Sequence, residues 1–241
     1  SIFFIGSDND IKEKYKKNNN NLNIKHVRYR DCLNCLLNSN HLVVQTQYQQ
    51  KELDRLYNRK SLLLRNPIEK IKLLKRQRKH ILWIGKDDDV KNPLLVFKIA
   101  KLFPYELFLM IINNFSKINE IPKNVKIIKF MNNIQIQKKI SEAKILINTS
   151  LFEGFPNTFL EAGLQKTPII SLHSNPDNIL NKLQAGYCVN GSFKRFVSKI
   201  NDILNKTPRR NSSFRNYILK NHCSQQNLYN LKKLIKNINH D

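Results

Sequence analysis

Short apolar runs alternate along the chain with longer stretches in which apolar residues recur at helical spacing. The runs are rich in Ile, Leu, Val and Phe, as buried strands are, and the stretches between them suit helices that cover a sheet. Strands are predicted at residues 2–5, 24–27, 41–45, 61–64, 80–84, 107–112, 125–130, 145–148, 168–171 and 186–189. This alternation predicts an α/β fold with parallel sheets.

Two of the predicted helices are marked by a proline at their first turn. The first turn of a helix leaves its N–H groups without intrahelical partners, so Pro93 and Pro156 are typical helix openings. Helices are predicted at residues 48–57, 93–103, 134–143, 156–165 and 193–204, and the residues from 212 onward are predicted to be helical only. A further helix with a solvated basic face is predicted for the lysine- and arginine-rich residues 70–79.

A break in the pattern at Asn66 and Pro67 divides the chain into two α/β parts. We predict a partial domain at residues 1–65, a larger domain at 66–206 and a helical tail at 207–241. The first part has about four strand candidates, whereas nucleotide-binding sheets have five or six, so we expect it to be the back half of a larger domain. The chain begins with Ser1 rather than Met, which fits a processed or incomplete chain.

The chain is strongly basic, with 42 Lys and Arg against 18 Asp and Glu and a formal net charge of +24. Such an excess predicts an anionic partner: a nucleic acid, a membrane surface or a phosphorylated substrate. The basic residues are spread along the whole chain, and a coding bias toward Lys, Asn and Ile is an alternative explanation. After this bias, peripheral contact with anionic lipid head groups is the next interpretation. Nucleic acid binding is not expected, because no aromatic-and-basic motif of a known nucleic-acid binding domain occurs.

Composition and run length exclude several classes of protein. A hydrophobic fraction of 41% argues against a fully disordered chain. The longest apolar run, residues 107–112, is far shorter than the ~18 residues of a membrane span, and the apolar start lacks the basic flank of a secretory signal. The four Cys are too few for a disulfide scaffold at this length, so a cytoplasmic location is expected.

A glycine and two lysines mark the loop after the predicted strand at residues 80–84. Gly85 permits a tight turn between strand and loop. Lys86 and Lys91 flank a loop that ends at a helix N-terminus, which is where anions bind. An ammonium about 4 Å from a phosphate oxygen contributes roughly 4 kcal/mol at an effective dielectric near 20, before desolvation. The loop is therefore a candidate phosphate site.

A second candidate site joins the strand at residues 145–148 to the following helix. Glu153 lies just beyond the carboxyl end of that strand, where parallel sheets bind their ligands. Gly154 allows close backbone approach, and the N–H groups of Phe155, Asn157 and Thr158 are predicted to be free and to point toward the same opening. The segment is therefore expected to bind an anionic or hydroxyl-rich ligand.

A second carboxylate follows on the helix itself. Glu161 lies roughly 8 Å further along the helix axis, at 1.5 Å per residue. Two carboxylates at this separation can bind hydroxyl groups at the two ends of an extended ligand. The alternative is structural: Glu161 as a solvated helix residue and Glu153 as a partner of the helix dipole.

The order and spacing of these residues resemble one enzyme family. Glu153-Gly154-Phe155-Pro156-Asn157-Thr158, followed by Glu161-Ala162, resembles the Glu-x7-Glu signature of family 4 (group 1) retaining glycosyltransferases. Gly85-Lys86 with Lys91 resembles that family's Gly-Arg…Lys-Gly loop, with Lys in place of Arg. The resemblance covers most of residues 42–204 in the family's order.

Other segments extend the resemblance to the family's domain organisation. Val43-Val44-Gln45-Thr46 and Arg65-Asn66-Pro67-Ile68 resemble the link between the two Rossmann-like domains of a GT-B fold, and Asn175-Pro176-Asp177 with Gly186 resembles the end of the donor domain. The resemblance implies a GT-B fold with a nearly complete donor domain, a partial acceptor domain and a tail that packs back on the acceptor side. The family's early Gly-rich loop has no counterpart here.

The resemblance also implies a role for each candidate residue. Lys86 and Lys91 would hold the donor's pyrophosphate and stabilise the leaving nucleoside diphosphate, Glu161 would bind the ribose hydroxyls, and Glu153 would contact the transferred sugar. The remaining substrate-binding positions are Gly85, Gly154, Phe155, Pro156, Asn157 and Thr158. The reaction would move a sugar from a nucleotide-sugar to a glycan or lipid-linked acceptor with retention, in polysaccharide or glycoconjugate synthesis. Neither a metal nor another cofactor is expected, because two lysines can neutralise the developing charge.

Several alternatives stay open. The chain alone is expected to bind nucleoside diphosphate but to turn over donor slowly or not at all, which also fits a truncated, non-catalytic nucleotide-sugar module. A basic nucleic-acid binding protein is a third candidate. Asp87 and Asp89 have the Asp-x-Asp spacing of metal-dependent transferases, although a solvated turn explains them more simply. A glycoside hydrolase needs two carboxyls flanking one bond, which the placement on loop and helix does not favour.

Three smaller features complete the set of candidates. Cys32 and Cys35 lack a second ligand pair at zinc spacing and are predicted to be thiols on a helix. His173 follows a predicted strand and is a further candidate for lining the site. Residues 130–132, Phe-Met-Asn, stand where the family has an aromatic-x-Gly turn, so the base pocket departs from the family's pattern.

Overall fold

The computed structural model describes residues 1–11, 27–113, 115, 120–205, 212–222 and 224–238. The strands are β1 Ile2–Phe4, β2 His41–Val44, β3 Leu62–Leu63, β4 His80–Lys86, β5 Phe108–Asn113, β6 Val125–Ile128, β7 Ala143–Asn148, β8 Ile169–Ser171 and β9 Gly186–Cys188. Nine of the predicted strands are thus present with shifted ends. The tenth, at residues 24–27, lies outside the described residues except for Val27, which begins a helix.

Helices connect most of these strands. They are α1 Val27–Asn38, α2 Gln47–Tyr57, α3 Leu94–Leu102, α4 Asn133–Ser141, α5 Asn157–Leu164, α6 Ile179–Lys182, α7 Phe193–Asn205, α8 Ser213–Asn221 and α9 Ser224–Ile238, with 3-10 turns at Asp8–Ile11 and Pro176–Asn178. All five helices predicted between the strands are present, and the described residues of the tail form α8 and α9. The predicted α/β class is confirmed.

The strands form two sheets in which every neighbouring pair is parallel. The first sheet has the order β1-β2-β3, and the second has the order β6-β5-β4-β7-β8-β9. In the second sheet the chain runs outward from β4 to β6, returns to β7 beside β4, and runs outward again to β9. This is the strand order 3-2-1-4-5-6 of nucleotide-binding Rossmann folds.

Buried apolar residues anchor each sheet. On one face of the six-stranded sheet, alternate residues of the central strands pack against α3 and α7, which bring Phe97 and Phe196 into that core. The three-stranded sheet has a smaller core, formed by Ile5, Ile11, Leu36, Leu42, Val44 and Leu53. Because alternate residues of a strand point to one face, this alternation fixes the register of both sheets.

Residues 70–79 do not form the predicted basic helix. Their backbone groups are bonded elsewhere: the Leu74 N–H donates to Gln165 Oε1 at 3.0 Å, and the Lys72 carbonyl accepts from Gln165 Nε2 at 3.2 Å. A side chain far along the sequence thus takes the donors and acceptors that a helix would use internally. The helix prediction was wrong because charge spacing carries no information about such partners.

The described residues fall into two compact units. The first comprises those of Ser1–Glu69, Phe152–Pro156 and Asn221–Asp241, and the second those of Lys70–Leu151 and Asn157–Lys220. The three-stranded sheet belongs to the first unit and the six-stranded sheet to the second. The domain boundaries predicted after residues 65 and 206 stay a prediction.

Among the described residues, no helix has the length and apolar character that crossing a membrane requires.

Candidate functional site

The six-stranded sheet has a switch point between β4 and β7. From these two neighbouring strands the chain proceeds toward opposite edges of the sheet. Open α/β sheets bind ligands beyond the carboxyl ends of the strands at such a point. Here those ends are Lys86 and Asn148, so the fold places the predicted phosphate loop and the start of the Glu-bearing segment at the expected position.

Gly85 lies inside β4 rather than in a turn after it. The strand continues to Lys86, and Gly85 pairs with Ile112 of β5. A Cβ atom at Gly85 would lie 2.6 Å from Cη2 of Trp83, closer than real Cβ contacts allow. The prediction of a tight turn at Gly85 was therefore wrong. This position needs glycine because the Trp83 ring packs over it.

A chain of hydrogen bonds joins the loops that follow β4 and β7. Nε1 of the buried Trp83 donates to Thr149 Oγ1 at 2.9 Å, and Thr149 Oγ1 donates to the Lys91 carbonyl at 2.7 Å. The Leu151 N–H donates to the Val90 carbonyl at 2.8 Å. The backbone at Lys91 is thus fixed by residues at the end of β7, so the two loops form one structure.

Asp88 shapes the loop between the two lysines. Its Oδ1 accepts from the Lys91 N–H at 2.7 Å, and its carbonyl accepts from the Asn92 N–H at 3.1 Å. Lys86 is exposed and Lys91 is half-buried. In the part of the chain that the structure describes, no group of three or more metal-ligating side chains occurs. The two bonds of Asp88 thus shape the loop between Lys86 and Lys91.

Glu161 lies one turn into α5, which begins at Asn157. The helix follows β7, so its N-terminus lies at the carboxyl edge of the sheet, and its first turn holds Asn157, which is exposed, and Thr158, which is half-buried. Burial raises the pKa of the Glu161 carboxyl to about 7. A ligand that donates hydrogen bonds to this carboxylate would stabilise its ionised form.

Six of the predicted site residues thus belong to the second unit: Gly85, Lys86, Lys91, Asn157, Thr158 and Glu161. Their elements all meet the same edge of one sheet. The other four, Glu153, Gly154, Phe155 and Pro156, belong to the first unit.

The segment at residues 152–156 is held tightly within the first unit. The Glu153 carbonyl accepts from the Asp8 N–H at 3.0 Å. A Cβ atom at Gly154 would lie 2.5 Å from the Gly6 carbonyl oxygen and 2.6 Å from Gln45 Oε1. Only glycine fits between these groups, so the expected close approach at Gly154 is made by the chain itself.

Phe155 does not have the free N–H that the sequence predicted. Its N–H donates to Gln45 Oε1 at 3.0 Å, its carbonyl accepts from Asn66 Nδ2 at 2.9 Å, and its ring meets the fully buried His222 edge-on at 4.8 Å. Pro156 is also buried. The Phe155 N–H prediction was wrong because its partner lies 110 positions away in the sequence.

Sequence reasoning missed several residues that organise these segments. Gln45 and Asn66 lie in motifs that the resemblance included, but no role was predicted for them. Thr149 and His222 had no signal beyond their residue type. Their importance arises from contacts with distant segments, which spacing along the chain does not reveal.

Residues 130–132 take a different local structure from a glycine turn. Asn132 is the N-cap of α4: its side chain accepts from the Gln135 N–H at 2.9 Å, and its own N–H donates to Gln135 Oε1 at 3.1 Å. Phe130 is 76% exposed. Asn132 is therefore present for helix capping, which favours Asn over Gly.

Solved structures of glycosyltransferases share this fold. A Staphylococcus aureus TarM mutant in complex with fondaparinux, alpha-GlcNAc-glycerol and UDP matches 97% of this chain with a TM-score of 0.75 at 17% identity. The pneumococcal O-GlcNAc transferase GtfA in complex with UDP and GlcNAc matches 100% of this chain with a TM-score of 0.73 at 16% identity. The sucrose-phosphate synthase of Thermosynechococcus elongatus matches 94% of this chain with a TM-score of 0.74 at 13% identity. The predicted GT-B fold class is confirmed.

This chain corresponds to part of each of those proteins. It spans 50% of the TarM chain, 53% of the GtfA chain and 65% of the sucrose-phosphate synthase chain. A search of curated proteins found no match. Residues 64–220 match the model of the family described as glycosyl transferases group 1, and they include β4 through α7 and all ten predicted site residues. The chain therefore belongs to the group 1 glycosyltransferase family, as its sequence motifs predicted.

Proposed function

We propose that this chain binds a nucleotide-sugar donor and transfers its sugar, with retention, to a glycan or lipid-linked acceptor in polysaccharide or glycoconjugate synthesis. One observation carries the proposal: the switch point between β4 and β7 lies between a lysine-bearing loop and the N-terminus of the Glu161 helix. UDP is the first nucleotide to test, because the similar TarM and GtfA structures contain it.

Glycosyl transfer breaks the bond between the anomeric carbon and the phosphate oxygen. Negative charge develops on the departing diphosphate as that bond breaks. Lys86, Lys91 and the N–H groups in the first turn of α5 would stabilise this charge more in the transition state than in the bound donor, and so accelerate the reaction. A metal or other cofactor has no required part in this scheme.

Glu161 would hold the ribose of the donor. An ionised carboxylate accepts strong hydrogen bonds from two hydroxyl groups. Burial makes ionisation of Glu161 costly in the chain without ligand. Ribose binding would offset that cost, which makes this carboxylate selective for a ligand with two adjacent hydroxyls. The assignment of Glu153 to the transferred sugar, and of Gly154, Phe155 and Pro156 to the donor site, stays a prediction from the resemblance.

A cytoplasmic location with peripheral contact to an anionic membrane is also part of the proposal. Its support is the net charge of +24, which is spread along the chain. Attraction to anionic lipid is worth about 1 kcal/mol per basic residue near the surface.

Calorimetric titration tests donor binding, and a radiolabelled donor tests transfer. We expect UDP, ADP or GDP to bind this chain, and inorganic phosphate to bind much more weakly. Failure of all three nucleotides to bind would overturn the proposal. Binding without turnover of the labelled donor would favour a non-catalytic nucleotide-sugar module instead.

A further inference from the structure

Both backbone and side-chain groups donate hydrogen bonds to the carbonyls at the C-terminal end of α5. Backbone groups close part of it: the Thr167 N–H donates to the Ala162 carbonyl at 2.9 Å, and the Lys166 N–H donates to the Gly163 carbonyl at 3.1 Å. This pair of bonds is a Schellman motif, with Lys166 in the left-handed conformation that glycine usually takes. The carbonyls of Leu164 and Lys166 have side-chain partners from other segments.

Two arginines donate to these two carbonyls. Arg215 Nη1 donates to the Leu164 carbonyl, and Arg78 Nη2 donates to the Lys166 carbonyl at 2.8 Å. Arg215 Nη2 also donates to the Ile71 carbonyl at 2.9 Å. Arg215 thus joins the helix end to Ile71 in the non-helical residues 70–79, and its planar fork suits two acceptors at once.

Side-chain packing holds the same helix end. A Cβ atom at Gly163 would lie 2.4 Å from Ile218 Cδ1 and 2.5 Å from Phe214 Cδ1, so α8 lies directly against α5 at this residue. Phe214 and Ile218 are both buried. The helix α8 is therefore one of the elements that hold the end of α5, and Arg215 lies between these two contacts on α8.

We propose that Arg215 is a positioning residue that holds α5 so that Glu161 faces the ribose of the bound nucleotide. Leu164, to which Arg215 is bonded, lies one turn beyond Glu161, about 4.5 Å along the axis. The helix has only eight residues, so a tilt at its bonded end moves Glu161. The inference rests on the proposed function, because it takes ribose as the ligand of Glu161.

The ribose preference of the chain gives a direct readout. UDP, ADP and GDP are compared, and the tightest is paired with its 2′,3′-dideoxy form; inorganic pyrophosphate reports on phosphate binding alone. The wild-type chain should prefer the ribonucleotide by about tenfold or more, as expected for hydroxyl groups bonded to a carboxylate.

Arg215→Met should lower that preference to about threefold or less and leave pyrophosphate affinity unchanged. Arg215→Lys, which keeps the charge but bonds one carbonyl, should be intermediate. Lys220→Met is the matched control, because Lys220 is an exposed cation on the same helix, and it should behave as wild type. Circular dichroism and thermal unfolding establish that each variant folds.

Each result decides the inference. A folded Arg215→Met chain with the wild-type preference would overturn it, as would equal losses for the ribonucleotide, its dideoxy form and pyrophosphate. If Arg215→Met does not fold, the inference is tested with Arg215→Lys: a folded Arg215→Lys chain with the wild-type ribose preference would overturn it. A wild-type chain that binds no nucleotide, or binds both sugar forms equally, would overturn the proposed function and this inference with it.

Discussion

The second unit has basic side chains in two different environments, a loop at the carboxyl ends of the central strands and the C-terminal end of α5. At the carboxyl ends of β4 and β7, Lys86 is exposed and Lys91 is half-buried on a loop that other residues hold in shape. At the C-terminal end of α5, Arg78 and Arg215 donate to carbonyls of their own chain. The first pair belongs to the proposed donor site, whereas the second pair bonds the backbone of the chain itself.

This difference shows that a basic composition is not one property. Arginine's fork bonds two carbonyl groups in fixed directions, whereas lysine offers a compact charge on a flexible stem that suits a phosphate. Part of the +24 charge is therefore structural, and the lysines of the proposed site differ from these arginines in lying at the carboxyl end of a central strand.

The largest expected effect comes from removing both lysines of the ligand end. Lys86→Ala with Lys91→Ala should weaken UDP binding by about 100-fold, because two cations close to the diphosphate are lost, and uridine binding by much less. Calorimetry with UDP, UMP and uridine measures the difference. The matched control is Lys101→Ala with Lys123→Ala, which removes the same charge from exposed positions near the opposite edge of the sheet. A uniform loss across the three ligands would instead indicate general surface electrostatics.

Removing the carboxylate at the ligand end should have the next largest effect. Glu161→Ala should weaken UDP binding by about 10- to 100-fold, because a hydrogen bond to a charged group contributes roughly 1.5–3 kcal/mol. Inorganic pyrophosphate should bind as before, since it has no ribose. Unchanged UDP affinity in a folded variant would remove Glu161 from the site.

The raised pKa of Glu161 predicts how binding depends on pH. Burial raises this pKa to about 7, and only the ionised form accepts ribose hydroxyls well, so donor affinity should increase with pH. For a UDP-sugar, whose phosphates do not titrate near neutrality, the gain from pH 6 to pH 8 should be about tenfold. Glu161→Gln should bind with little pH dependence. An equally steep profile in this variant would assign the titration to another group.

The same carboxyl predicts the opposite trend for stability. Its folded pKa lies above its ordinary value, so the folded chain binds the proton more tightly than the unfolded chain does. The free energy of unfolding should therefore fall between about pH 4.5 and pH 7, by up to about 3 kcal/mol without ligand. Chemical denaturation of wild type and Glu161→Gln across this range measures the difference, which should vanish when UDP is present.

The smallest expected effect is that of a chelator. EDTA should change UDP affinity less than twofold, because two lysines face the diphosphate in the proposed site. A strict need for a divalent cation would assign Asp87 and Asp89 a ligand role. The lysines would then not be the only cations at the proposed diphosphate site.

Much of the fold could be predicted because its signals are local. Apolar residues dominate β4, β5 and β7, and Pro93 and Pro156 precede helices at Leu94 and Asn157. The strand order could not be read from one sequence, but the helix that bears Glu161 does follow the central strand β7, as predicted.

The errors at residues 70–79 and at Phe155 involve partners that are distant in sequence. Residues 70–79 lack a helix because Gln165 and Arg215 bind their backbone, and Arg215 lies 144 positions from Ile71. The Phe155 N–H is taken by Gln45 in the same way. Local propensity and charge spacing have no access to such contacts, whose free energy exceeds that of the local preference they replace.

The hydrogen bonds beneath Lys91 give the molecule an internal optical reporter. Trp83 is the only tryptophan of the chain, it is 2% exposed, and its indole N–H is bonded to Thr149, which is bonded in turn to the Lys91 carbonyl. Its fluorescence emission arises from one defined place, directly under the loop proposed to bind phosphate. A ligand that moves this loop changes the polarity and hydrogen bonding of the indole, so binding can be followed in the unlabelled, unmodified protein by emission wavelength and intensity.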